Sequence, residues 1–291
     1  MPRRARIALL LAGAVVFALA GVAITRAPAP IRVGVLHAHD GTLTRSERPV
    51  LEATLFAIDE LNRAGGVRGR PVEAVVPVIG STAAAFEEGA RELVEQGVTT
   101  IFGCWSSAAR RSVIPIVEAA DGLLFYPVFY EGLEESDHVI YLGAAANQRI
   151  VPAAKWARMK FGPRFFLLGS DYVFPHAAHE LIRDELARTR GSVVGEAWVG
   201  LHEDAGGVAE AVEAILAATP DVIVNTINGD ANRELLMQLR ARGNTAPLLS
   251  FALSEAELRG MDPSTTFEHF AAASYFESLP IPENQDFLGT W

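Results

Sequence analysis

Trp105, Ser106, Ser107, Tyr126 and Tyr130 fall in one stretch, FGCWSSAARRSVIPIVEAADGLLFYPVFYEG, residues 102–132. Hydroxyls, phenols and an indole can hydrogen-bond a small polar molecule and wall it from water, and none of them titrates near neutrality. The serine pair stands where a helix should begin, so free backbone N–H groups point at whatever lies beside it. Two further runs have similar character. In Gly169-Ser170-Asp171-Tyr172-Val173-Phe174-Pro175, Tyr172 and Phe174 alternate, and Asn225-Thr-Ile-Asn228-Gly229-Asp230 places amides at a strand end. Each has a plain alternative: helix capping for Ser106 and Ser107, core packing for Phe174, turn chemistry for Asn-Gly-Asp. Taken together, they describe a cleft for a small polar molecule.

Catalytic and metal readings are weaker. His37-Ala-His39-Asp40 follows the first strand, where an H-x-H pair can ligate a metal in a hydrolase. Its partners would have to come from His138, His202 and His269, which are scattered, or from His176 and His179 on a helix, so a polar solvent-facing loop is favoured. Ser107 lacks a G-x-S-x-G elbow and a nearby histidine. Gly65-Gly66-Val67-Arg68-Gly69 follows a helix and precedes none, which makes it a turn and not a phosphate loop. Cys104 is the sole cysteine, so disulfides within the chain and cysteine-based metal sites are excluded, and a buried thiol is expected. A net charge of −10, with Lys155 and Lys160 the only lysines, argues against nucleic acid as a partner. No cofactor is called for.

The elements that must position these groups follow from hydrophobic period and turn residues. Strands are expected at 31–36, 72–79 and 100–103, with a fourth ending in Tyr126-Pro127, and helices at 82–96 and 108–120, with another starting at Ser46-x-x-Pro49 and ending at Gly65-Gly66. After a break near 133–147 the rhythm resumes. A short extended segment lies at 138–142 and a helix at 148–161. Alternating strands and helices continue from residue 164, with the last strand at 269–275. This predicts an α/β protein of two similar-sized lobes with parallel sheets and an interlobe cleft, with a single larger sheet as the alternative. Lobe I spans 31–142, lobe II 143–275, and 276–291 begins a return to lobe I.

Arg3, Arg4 and Arg6 precede an apolar run from Ile7 to Ile24 and the segment Ala27-Pro28-Ala29-Pro30. Residues 1–27 therefore read as a secretory signal, cleaved after Ala20 or Ala27, or as an uncleaved membrane anchor; either exports the remainder.

The motifs FGCWSSAARRSVIPIVE, LLFYPVFYEGLEES, GAAANQRIVPA, FFLLGSDYVFP, DVIVNTINGDAN and Tyr275-Phe276-Glu277-Ser278 resemble the urea and short-chain-amide branch of the type I periplasmic binding proteins, in order from Ile31 to about Phe287. The resemblance implies a periplasmic protein that closes two Rossmann-like lobes on urea or a short amide and delivers it to ABC permease subunits. A ligand-sensing ectodomain of a membrane-anchored receptor is the alternative, and an amidase using His37 and His39 a distant third. By motif, the ligand residues would be Trp105, Ser107, Tyr126, Val128, Tyr172, Phe174, Asn228 and Tyr275. Serine and helix N–H groups would meet the carbonyl, tyrosine and asparagine oxygens the amide N–H, and Trp105 and Phe174 would exclude water. The chain departs from the family at His39-Asp40-Gly41-Thr42 and Gly80-Ser81-Thr82-Ala83-Ala84, near the cleft. Family members also continue past Pro282-Glu283-Asn284, so the resemblance implies that the chain ending at Trp291 is either C-terminally truncated or a smaller variant that has lost those elements.

Overall fold

The computed structural model describes residues 28–200, 207–259, 261–265 and 268–291. The apolar run from Ile7 to Ile24, read above as signal or anchor, lies outside them. Among the described residues no helix is long and apolar enough to cross a membrane.

Strands β1 (Ile31–Leu36), β3 (Val72–Val75), β5 (Thr100–Gly103), β6 (Leu123–Tyr126) and β7 (Val139–Tyr141) form a parallel sheet in the order β3-β1-β5-β6-β7. The register pairs Val33 with Ala74, Gly34 with Ile101, Phe102 with Phe125 and Phe125 with Ile140. The strand expected over 72–79 stops at Val75, because Pro77 has no N–H to continue the ladder. Its far end, β4 (Ile79–Gly80), pairs instead with β2 (Ala38–Asp40). Three helices connect these strands: α1 (Thr44–Arg63), α2 (Ala83–Glu95) and α3 (Ser107–Ala119). Thr82 caps α2 by accepting from the Ala85 N–H at 3.2 Å. Helix α1 begins two residues before Ser46, without a side-chain cap, so the expected serine cap is not made. Ser46 is used elsewhere, as shown below.

The second sheet is also parallel, in the order β12-β11-β10-β8-β9: β8 (Arg164–Ser170), β9 (Ser192–Val199), β10 (Val222–Thr226), β11 (Leu248–Ser250) and β12 (His269–Ala271). β12 stops at Ala271, four residues short of the expected strand end. Helices α4 (Ile150–Phe161) and α5 (Val173–Thr189) cover one face; α6 (Val208–Ala218) and α7 (Ala231–Ala241) cover the other. Strand alternation explains the two cores. Phe165 and Leu167 of β8 join Val222, Val224 and Ile182 on one face, while Phe166 and Leu168 join Ile223, Ile215 and Leu235 on the other. A short helix α8 (Glu255–Leu258) and the terminal α9 (Pro282–Thr290) complete the described chain, with Trp291 packed against Phe56 of α1, the rings tilted and their centroids 4.9 Å apart.

The chain passes between the lobes after β7 and again after β12, and the lobes lie closed on each other. Ser46 of α1 donates to Glu257 of α8 at 2.6 Å, Arg45 pairs with Asp230 at 3.2 Å, and the Phe129 and Phe174 rings meet edge to face at 5.0 Å. Gly229 approaches the Thr42 carbonyl so closely that a Cβ there would lie 2.8 Å from its oxygen. With φ at +74°, only glycine suits the position.

Candidate functional site

The lobe I wall is built where β5 and β6 end. After Gly103 the backbone of Cys104 turns through a left-handed φ of 65°, and α3 starts three residues later. Ser106 is the cap: its hydroxyl accepts from the Ala109 N–H at 3.1 Å. Ser107 is freed from capping and donates to Glu131 Oε2 at 2.7 Å. One helical turn on, the fully buried Arg110 donates to Glu131 Oε1 at 2.7 Å, to Glu134 Oε1 at 2.5 Å and to the Ser107 hydroxyl at 3.3 Å. Its guanidinium lies 4.7 Å from the Tyr126 ring centroid. Burial alone would favour its neutral form, but Tyr126, Glu131 and Glu134 hold it charged, above its ordinary range. Tyr126, also buried, donates from its hydroxyl to the Trp105 carbonyl at 2.7 Å; burial pushes its phenol up.

The lobe II wall around Asn228 is neutral. Asn228, just past β10, donates its side-chain amide to the Tyr172 hydroxyl at 2.7 Å and its backbone N–H to Ser170 at 3.1 Å. Its Oδ1 is buried without a hydrogen-bond partner. Behind it, Asn225 donates to Asn232 at 2.7 Å and to Ser250 at 3.2 Å, which fixes the turn. Burial pushes the Tyr172 phenol up, and the nearby Tyr126 and Glu131 push it further.

Ser107, Tyr126, Tyr172, Phe174 and Asn228 are thus gathered where the two sets of strand ends meet. Trp105 and Val128 border an adjoining cavity of about 440 Å³, with Ser46, Phe129, Arg149 and Glu257 among its other walls. Arg149 is held there by the Ala272 carbonyl at 2.5 Å, the Phe251 carbonyl and the Phe129 ring at 3.6 Å; burial lowers its pKa to about 9. Tyr275 also borders the cavity but at its mouth, half exposed, with its hydroxyl given to Asn284 at 2.6 Å. It is set apart from the buried group.

The histidine pair does not converge. His37 is fully buried, its Nδ1 3.2 Å from Glu47 Oε2, whereas His39 is exposed. The loop expected to face solvent is half interior: His37 and Ala38 are buried, whereas His39 and Asp40 are exposed. Among the described residues no group of three or more histidines, cysteines and carboxylates could hold a metal ion. Cys104 is the buried thiol expected; burial and then Glu47 raise its pKa.

Sequence reasoning missed Arg110, Glu131 and Glu134. A signal existed: Arg110 lies one turn from Ser107 in an otherwise apolar helix face, and Glu131 lies directly after Tyr130.

Two parallel-sheet lobes closed over facing strand ends define a cleft-binding protein of the two-lobed α/β class. The chain belongs to the periplasmic binding protein domain family, which it matches over residues 31–291. Solved structures of the same fold include a branched-chain amino acid transporter substrate-binding protein from Streptococcus pneumoniae in complex with isoleucine. It is 17% identical, with a TM-score of 0.78 over 90% of this chain and 76% of that one. A solute-binding protein from R. palustris in complex with 4-hydroxybenzoate is 20% identical, with a TM-score of 0.77 over 90% and 73%. A fatty acid transporter substrate-binding protein from Thermomonospora curvata is 18% identical, with a TM-score of 0.74 over 90% and 68%.

Proposed function

We propose that this protein is an extracytoplasmic solute-binding protein that captures urea or a short-chain amide between its lobes and delivers it to an ABC permease. The observation that carries the ligand class is the Asn228–Tyr172 pair, with an unpaired buried carbonyl oxygen beside a phenol. A ligand N–H would donate to Asn228 Oδ1, and the ligand carbonyl would accept from Tyr172 or from the N–H groups opening α3. The relatives' ligands include carboxylates such as isoleucine and 4-hydroxybenzoate. Here Arg110 is committed to two glutamates and Arg149 to two backbone carbonyls, so a ligand carboxylate would find both guanidiniums taken. Recognition of this kind uses no titrating catalytic group. Titration calorimetry with urea, formamide, acetamide, isoleucine and 4-hydroxybenzoate tests the reading: heat from urea or an amide is expected, and binding by the carboxylates alone would overturn it.

A further inference from the structure

Arg149 stands between the two passages of the chain from lobe to lobe. It follows the first, which begins at Leu142, and its Nε donates to the carbonyl of Ala272, in the second, at 2.5 Å. Its Nη2 donates to the Phe251 carbonyl beyond β11, and its guanidinium lies 3.6 Å from the Phe129 ring centroid. None of these neighbours carries a charge. Arg110, the other arginine held in the interior, has Glu131 and Glu134 as partners. No carboxylate acts on Arg149; burial is the sole influence on its pKa. An interior cation normally sits beside an anion, because its lost hydration otherwise goes uncompensated. The two carbonyls also leave Nη1 without a hydrogen bond among the described residues.

Arg149 borders two cavities whose walls differ. The cleft cavity of about 440 Å³ carries Glu255, Glu257 and Glu277, which repel an anion. The other, of about 490 Å³, runs along the two passages, with Gly143, Ala144, Gln148, Ala273 and Ser274 among its walls and no acidic residue. Its donors are uncommitted. Gln148 uses only Oε1, which accepts the Ala145 N–H at 2.9 Å, so both N–H bonds of Nε2 remain. The backbone N–H groups of Gly143, Ala144, Ala273 and Ser274 have no backbone partner among the described residues. Glu134, which accepts the hydroxyl of the bordering Tyr141 at 3.0 Å, is paired with Arg110 and Arg111. One unneutralised cation and several N–H and O–H donors, with no carboxylate in the wall, are complementary to an oxyanion.

We propose that the cavity between the two interlobe passages binds a small tetrahedral oxyanion, sulfate or phosphate, through Arg149, Gln148 and Ser274. This site is separate from the amide site and does not rest on that reading. Its walls come from both passages, so the anion bridges the segments that bend when the lobes open.

The test is calorimetry on the full chain with sodium sulfate and sodium phosphate, the ionic strength held constant with sodium chloride so that general screening is common to every point. One saturable event per chain is expected, with a Kd of about 1 mM or tighter. Gln148→Glu keeps the acceptor that holds the Ala145 N–H and adds a carboxylate to the wall; it is expected to weaken oxyanion binding at least about ten-fold. Arg149→Gln removes the cation of the site and is expected to weaken binding as strongly. Heat from both oxyanions no greater than that of a matched chloride addition overturns the inference. Oxyanion binding of unchanged affinity in Gln148→Glu overturns it as well, because the anion then sits elsewhere on the protein. Gln148 is exposed, so its variant keeps the comparison intact even if Arg149→Gln does not fold.

Discussion

The two walls of the cleft solve the same problem with different chemistry. Lobe I holds its polar groups with charge: Arg110 ties Ser107, Glu131 and Glu134 into one buried network, and His37 is bonded to the buried Glu47. Around Tyr172 and Asn228, lobe II uses neutral groups, Tyr172, Asn228, Ser170, Asn225 and Asn232, while its charged Arg149 and Glu257 border the adjoining cavity. Buried charges are costly to move, because each must keep its partner, whereas a phenol–amide pair can exchange that partner for a ligand. Lobe I thus reads as the fixed template and lobe II as the adaptable lid. Packing differs too. Lobe II buries a core on both sheet faces, whereas α1 of lobe I leaves Leu55 and Leu61 partly exposed.

The comparison can be broken most sharply at Arg110. Arg110→Ala strands two carboxylates, Glu131 buried and Glu134 largely so, and is expected to lower stability by about 3–5 kcal/mol in chemical denaturation. A loss below about 1 kcal/mol would mean that the lobe I network is not the template described. Lobe II should respond to acid through His269, which donates to or accepts from Ser250 at 2.8 Å and whose pKa burial lowers to about 4. A depressed imidazole stabilises the fold above its unfolded value of 6.5, and that contribution is lost as the pH falls through about 4. From the gap between 6.5 and about 4, the loss reaches up to about 3 kcal/mol, and denaturant midpoints between pH 7 and 4 should show it less steeply in His269→Gln.

Smaller effects sharpen the division of labour. Tyr172→Phe and Ser107→Ala are each expected to weaken ligand binding by about 1–3 kcal/mol in calorimetry. Unchanged affinity in both would remove these hydroxyls from the site. Leu55→Ala, on the exposed side of α1, should change stability by no more than about 0.5 kcal/mol, against about 3–5 kcal/mol for Phe166→Ala in the lobe II core. Equal losses would erase the packing contrast.

The parallel strands and their helices were legible because apolar runs such as FFLL in β8 and the helical period of α2 and α5 are local signals. The misreadings have local causes as well. Pro77 ended a strand that hydrophobicity alone would have continued, and α1 started at Thr44 because Ser46 is claimed by Glu257 across the cleft. Trp105, Ser107, Tyr126, Tyr172, Phe174 and Asn228 could be named because aromatic and amide residues stand out at strand ends. Glu131 could not: its carboxylate is interior only because Ser107 and Arg110 of α3 close on it from a separate segment. Tyr275, a strand-exit aromatic, does border the cavity, but its hydroxyl is taken by Asn284, a partner nine residues away on α9.

Closure of a charged template by a neutral lid around a small planar ligand is tested most directly by titrating urea into the intact protein at several temperatures. The account predicts one binding event per chain with a negative heat-capacity change, from apolar surface that becomes buried as the lobes close. Absence of binding by urea and amides, with clear one-to-one binding of isoleucine, would contradict it.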